Sequence, residues 1–196
     1  MMHNEKTVKR GSTVNTHETE TGLWLFLGGM ASGKSQVAER WISTVTSHRP
    51  ITYIATLDDS GSHDQELAEK ISRHRQRRPP EVWHTVAVTG VQALEEALIR
   101  AEDGPVLLDG LGAAFSRHPL AVDWQPVLER IARTAISGPL AVVSDEVGWA
   151  LVPADPSLRA YVNQLGQIHQ QLASLAAGVV LVVAGQSLWI KGQPDA

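Results

Sequence analysis

The 196 residues include no cysteine. That removes a disulfide framework, cysteine-ligated zinc and a cysteine nucleophile together. Positive charge is not in excess either: 17 Lys and Arg stand against 21 Asp and Glu, for a formal net charge of −4 with His neutral. Nucleic-acid backbones recruit cationic surfaces, so nucleic acid is not expected as a partner. No apolar run approaches the roughly 20 residues that cross a bilayer, and no membrane span is expected. Residues 1–21 are polar, carry Lys6, Lys9 and Arg10, and lack the apolar stretch of a signal peptide. They are read as a disordered leader. The remainder, 22–193, has the length of a single domain with one core, and a cytoplasmic location is expected.

What the sequence does contain is alternation. Leu23-Trp24-Leu25-Phe26-Leu27 is a continuous apolar run, the pattern of a strand buried on both faces. Val37, Trp41, Ile42 and Val45 then recur at helical spacing. Strands are expected again at 51–55, at 82–88 (as an edge strand), at 106–109, at 140–144 and at 179–184. Helices are expected between them. One is opened by a capping box at Ser62-His63-Asp64-Gln65 and carries Leu67 and Ile71. Others carry Val91, Leu94 and Leu98, then Trp124, Val127, Leu128 and Ile131. The last starts at Asp155-Pro156, an N-cap followed by proline in the first helical position, and is expected to end at Gly178. Leu188-Trp189-Ile190-Lys191 suggests a short antiparallel finish. The pattern predicts an α/β fold with a mostly parallel sheet and helices on both faces.

Between the first strand and the first helix lies Gly28-Gly29-Met30-Ala31-Ser32-Gly33-Lys34-Ser35, a Walker A pattern. Its glycines let backbone N–H groups converge on phosphate oxygens at a helix N-terminus, where the helix dipole also favours an anion. Lys34 supplies a point charge for the β- and γ-phosphates, and Ser35 a hydroxyl for Mg²⁺. Four such constrained positions match by chance in a chain of this length at roughly the 1% level. The strand–loop–helix context lowers the odds of coincidence further, so the domain is read as P-loop NTPase-type. A second strand should end in a carboxylate that holds the metal's water shell. Asp109, after Val106-Leu107-Leu108, is the first candidate, and Asp145, after Val142-Val143-Ser144, is its rival.

Segment 70–81 concentrates Lys70, Arg73, Arg75, Arg77 and Arg78 against Glu81 alone. Such a cluster can bind a triphosphate or a leaving pyrophosphate, or it can be a solvated helix face paired with acidic neighbours. His74 lies inside it, on the stripe of Leu67 and Ile71. Two roles fit: a packed, hydrogen-bonded core residue, or a neutral imidazole that attacks an α-phosphorus and forms a phosphoramidate. The other seven histidines show no metal-ligand spacing and are read as structural or surface residues. Trp124 and Trp149 fit either an apolar ligand face or core packing.

These residues in this order resemble the bifunctional adenosylcobinamide kinase/adenosylcobinamide-phosphate guanylyltransferase family of cobalamin biosynthesis. The resemblance spans 23–192. It rests on Phe26–Ser35, Tyr53-Ile54-Ala55-Thr56, Ile71-Ser72-Arg73-His74-Arg75-Gln76-Arg77-Arg78-Pro79, Leu107-Leu108-Asp109, Glu146-Val147-Gly148 and Ala184-Gly185. It implies two reactions. In one, ATP or GTP phosphorylates the hydroxyl of adenosylcobinamide. In the other, GMP moves from GTP through a covalent histidine, His74 here, to the resulting phosphate. It also implies nucleotide contacts at Thr56, Leu57, Asp58, Arg75, Gln76, Arg77, Arg78 and Asp109, and a homotrimer. The sequence departs from the family pattern at Ala87 for Glu, Asp145 for Asn, Val162-Asn163 for Arg-Asp and His169 for Asn. Two other readings remain open: a transferase of the same fold with a different small acceptor, and a nucleotide-binding relative that performs no chemistry.

Overall fold

A computed structural model describes residues 22–47, 49–56, 78–101, 103–116, 123–149 and 151–192. Seven strands form one sheet in the order β3-β2-β4-β5-β1-β6-β7. They are β1 Gly22–Gly28, β2 Ile51–Thr56, β3 Trp83–Val88, β4 Val106–Asp109, β5 Pro139–Asp145, β6 Gly178–Val183 and β7 Gln186–Lys191. Every pairing is parallel except β6 with β7, which is antiparallel. The helices are α1 Lys34–Val45, α2 Gly90–Arg100, α3 Gln125–Ser137 and α4 Pro156–Leu175, with a 3-10 turn at Leu111–Phe115. The leader 1–21 and the capping box at 62–65 with its helix lie outside the described residues.

Burial explains why β1 reads as an unbroken apolar run. Leu23 and Leu25 point to one face of the sheet, where α2, α3 and α4 contribute Leu94, Leu98, Ile131, Ile168 and Leu172. Trp24 and Phe26 point to the other, against Val37, Ala38 and Ile42 of α1. With both faces covered, alternation between polar and apolar residues disappears. The α1 side is lined with aromatics, with ring centroids 5.0 Å apart for Trp24–Trp41 and 5.6 Å for Trp24–Trp189.

The expected start of α4 is found: the Asp155 side chain accepts from Leu158 N at 2.9 Å, and Pro156 opens the helix. The expected end is not. The helix stops at Leu175, Ala176 is already extended, and Gly178 is the first residue of β6. Its role is close approach, because a Cβ there would sit 2.2 Å from the Trp24 ring. Trp124 is also corrected. It caps α3 and is buried in the core, so it offers no ligand face, whereas Trp149 is 73% exposed. The antiparallel finish is longer than expected, running from Gln186.

The strand order has one consequence for function. β5 separates β1, which feeds the phosphate loop, from β4, which ends in Asp109. The carboxyl ends of β1, β4 and β5 open on one crevice, where ligands of open parallel sheets bind.

Candidate functional site

The phosphate loop is built by close backbone contacts. A Cβ at Gly28 would lie 2.5 Å from Val182 O and 2.6 Å from Ser32 Oγ. Gly33 has φ 91, and a Cβ there would lie 3.3 Å from Gly185 Cα. Gly28 has no room for a side chain, and at Gly33 the positive φ strains any residue with a Cβ. The turn between β6 and β7 braces the loop, because Gly185 N donates to Ser32 O at 2.8 Å. Ser32 Oγ is buried, with no hydrogen-bond partner among the described residues. A buried polar atom left unpaired on a loop of this shape suits a ligand that brings its own polar partners.

Lys34 opens α1 and is buried. Its Nζ donates to Gly29 O at 3.2 Å and lies 2.5 Å from Asp145 Oδ1. The register explains the pairing: Asp145 stands opposite Gly28, at the last position of β5. Ser35 Oγ donates to Asp109 Oδ1 at 3.0 Å. The two acidic candidates are thus sorted by geometry, Asp109 onto the loop hydroxyl and Asp145 onto the loop lysine.

A third group is Tyr53, to which the sequence assigns no site role. Its hydroxyl donates to Asp109 Oδ2 at 2.8 Å. Burial, and then the Asp109 charge, pushes the Tyr53 pKa well above its ordinary value, so the phenol remains a donor. Arg78 lies over the Tyr53 ring, 3.4 Å from its centroid, and pairs with Glu39 of α1. Of the expected nucleotide contacts in the basic segment, Arg78 is the one described, and it is only 5% exposed. Thr56 Oγ1 donates to Asp109 O at 3.2 Å and also contacts Gly110 O, buttressing the strand end from behind. Leu57, Asp58, His74, Arg75, Gln76 and Arg77 lie outside the described residues.

On the other side of β5 is a buried polar group. His169 Nε2 lies 2.8 Å from Ser144 Oγ, and its Nδ1 lies 3.7 Å from Glu146 Oε2. Burial lowers the His169 pKa, opposed by the charges of Glu146 and Asp145, so the ring is neutral near pH 7. Serine, histidine and carboxylate in this order suggest a hydrolase triad, but Ser144 is 0% exposed and no substrate reaches it.

Glu39 and Ser144 carry no motif, and neither Tyr53, which opens the Tyr53–Thr56 match, nor His169, a departure from the family pattern, has a role assigned by the sequence. Their roles depend on which strands pair and which helix faces them, and a single sequence leaves both open. The usable signal was parity: Tyr53 shares its strand face with Ala55, the register partner of Asp109.

With this geometry in view, comparison with known proteins decides the family. A family model described as cobinamide kinase / cobinamide phosphate guanyltransferase matches residues 24–190. The chain belongs to this family. The bifunctional adenosylcobalamin biosynthesis protein CobP of Pseudomonas aeruginosa is 34% identical over 185 residues, covering 87% of this chain and 98% of that protein. The protein CobU of Escherichia coli, of the same description, is 34% identical over 189 residues, covering 85% and 98%. Among solved structures, the flagellar accessory protein FlaH from Methanocaldococcus jannaschii aligns with a TM-score of 0.51 at 13% identity, covering 87% of this chain and 78% of that one. At that identity the likeness speaks for the fold alone. As a member of this family, the chain joins a P-loop NTPase-type fold to the machinery of a kinase and nucleotidyltransferase of cobalamin biosynthesis.

Proposed function

We propose that this chain phosphorylates adenosylcobinamide with ATP or GTP and then transfers GMP from GTP to the product, giving adenosylcobinamide-GDP. The observation that carries the reading is the joint placement of Lys34, Ser35, Asp109 and the Gly28–Gly33 loop at the carboxyl ends of the central strands. Loop amides and Lys34 hold the β- and γ-phosphates and draw charge towards the leaving diphosphate. Ser35 Oγ and the Asp109 carboxylate are 3.0 Å apart and are hard oxygen donors, so the pair fits Mg²⁺. Among the described residues no cluster of three His, Asp or Glu could cage a metal. That agrees with an ion shared between one or two protein groups, water and substrate phosphates. When bound, Mg²⁺ supplies charge neutralisation of the phosphates.

For the second reaction His74 is the nucleophile. Its neutral ring attacks the α-phosphorus of GTP, pyrophosphate leaves, and the GMP-histidine is then resolved by the corrinoid phosphate. Thr56, Leu57, Asp58 and Arg75, Gln76, Arg77 complete the nucleotide contacts in this reading. Arg78 joins them in this reading, and its stack on Tyr53 and its pair with Glu39 anchor the end of the basic segment beside Asp109. Exposed Trp149, Leu151 and Val152 support a large acceptor with apolar faces. The nucleoside triphosphate substrates favour a cytoplasmic location, and the family resemblance favours a homotrimer, which sedimentation tests.

Labelling tests the whole reading. With α-labelled GTP the protein should gain label in an acid-labile, alkali-stable bond, and His74→Ala should abolish it. With γ-labelled ATP or GTP, label should pass to adenosylcobinamide. Absence of both signals in the wild-type protein would leave a nucleotide-binding protein without chemistry.

A further inference from the structure

The Glu146-Val147-Gly148 loop has no part in the phosphate cradle, yet it is fixed against it. Glu146 N donates to Gly28 O at 3.0 Å, so the Glu146 backbone is pinned to the entry of the phosphate loop. Three carboxylates therefore crowd the ends of β4 and β5. Asp109 is engaged by Ser35 and Tyr53, and Asp145 by Lys34. Glu146 differs from both: among the described residues no Lys or Arg pairs with it. Its Oε1 accepts from Gly148 N at 2.9 Å. Its Oε2 lies 3.7 Å from His169 Nδ1, long for a hydrogen bond.

His169 is poised by what surrounds it. Nε2 takes the Ser144 hydroxyl, which leaves Nδ1–H directed at Glu146. The ring's neutral state means that it orients Glu146 without cancelling its charge. Strand parity then separates the functions. Asp145 points to the α1 side, where Lys34 lies, while Ser144 and Glu146 point to the α4 side. The glutamate side chain is 21% exposed, enough for one oxygen to reach a bound molecule. Exposed Trp149 and Leu151 follow it in the chain.

We propose that Glu146 is the proton acceptor for the substrate hydroxyl during phosphoryl transfer, with Gly148 N–H and His169 as its positioning groups. This rests on the kinase half of the function proposed above. The hydroxyl oxygen forms a bond to the γ-phosphorus as its proton moves to the Glu146 carboxylate. The bond between the γ-phosphorus and the β–γ bridging oxygen breaks, and its electron pair leaves with the nucleoside diphosphate. The proton on Glu146 then passes to water. A carboxylate that no Lys or Arg among the described residues pairs with, held by the Gly148 N–H, faced by His169 and open at its edge, suits this task. Asp145 and Asp109 are both committed elsewhere.

The test uses the full chain with γ-labelled ATP and adenosylcobinamide. Glu146→Gln should lower kcat about 100- to 1000-fold while leaving the nucleotide KM within about twofold, because the phosphate cradle is untouched. Guanylylation by α-labelled GTP should persist. Glu146→Ala should be equally slow, and added formate should recover part of its kcat, an effect that repair of a structural defect would not produce. His169→Asn, a positioning change, should lower kcat about tenfold with little change in KM. A Glu146→Gln protein within about threefold of wild-type kcat overturns the proposal. So does a slow Glu146→Ala protein that formate does not accelerate, which also covers a Glu146→Gln protein that fails to fold. A wild-type protein without kinase activity rejects the underlying kinase reading instead, and the two failures are told apart by that control.

Discussion

Replacing Asp145 by Asn should tighten nucleotide binding. Lys34 Nζ sits 2.5 Å from Asp145 Oδ1, and this contact must loosen when the β- and γ-phosphates claim the same ammonium. The carboxylate also faces those phosphates and repels them. Asparagine keeps the size of the side chain and removes the charge. The Asp145 side chain is 46% exposed, so the pair is screened and belongs with surface ion pairs rather than buried ones. Such pairs contribute about 0.2–1 kcal/mol, which converts to a gain of about 1.4- to 5-fold in affinity. Loss of the carboxylate–phosphate repulsion acts in the same direction and moves the expectation towards the upper end. Calorimetric titration with a non-hydrolysable ATP analogue and Mg²⁺ measures it. The gain should shrink between about 0.05 M and 0.5 M salt as the Debye length contracts. Weaker binding by Asp145→Asn at low salt would refute the reasoning and return Asp145 to the metal's water shell.

Gly28→Ala should abolish nucleotide binding, since its Cβ would meet Val182 O at 2.5 Å and only a shifted strand end or loop relieves the clash; equilibrium binding of a labelled nucleotide reads this directly. Tyr53→Phe should cost about 1–2 kcal/mol in urea unfolding, because Asp109 Oδ2 loses its donor. The same variant tests an alkaline effect. The native phenol resists ionisation, so above about pH 10 only the unfolded chain loses that proton, and wild-type stability falls by up to about 1.4 kcal/mol per pH unit more than that of Tyr53→Phe. His169 gives the opposite limb. Its pKa is lowered by burial, so its stabilisation is complete above about pH 6.5 and is lost as pH falls, when only the unfolded chain takes up the proton. His169→Asn should flatten that acid dependence in denaturation curves between pH 7 and pH 5.

Sequence by itself determined the alternation of strands and helices, the phosphate loop and the acidic strand end. These are local signals. A strand buried on both faces must be apolar throughout, and a loop that bends backbone amides around phosphate must carry glycine where φ is positive or a Cβ would collide. Short-range patterning failed at Gly178, where the constraint was the Trp24 ring across the sheet rather than the end of the preceding helix. It also ranked Asp109 ahead of Asp145 without giving the two separate roles, since each ends a buried strand. Tertiary structure divided them: placing β5 between β1 and β4 sets Asp145 against Lys34 and leaves Asp109 to Ser35 and Tyr53. The same placement brings Ser144, Glu146 and His169 together from segments more than 20 residues apart. Strand order is a long-range choice among many similar apolar runs, made by the packing of whole elements, and no window along the chain encodes it.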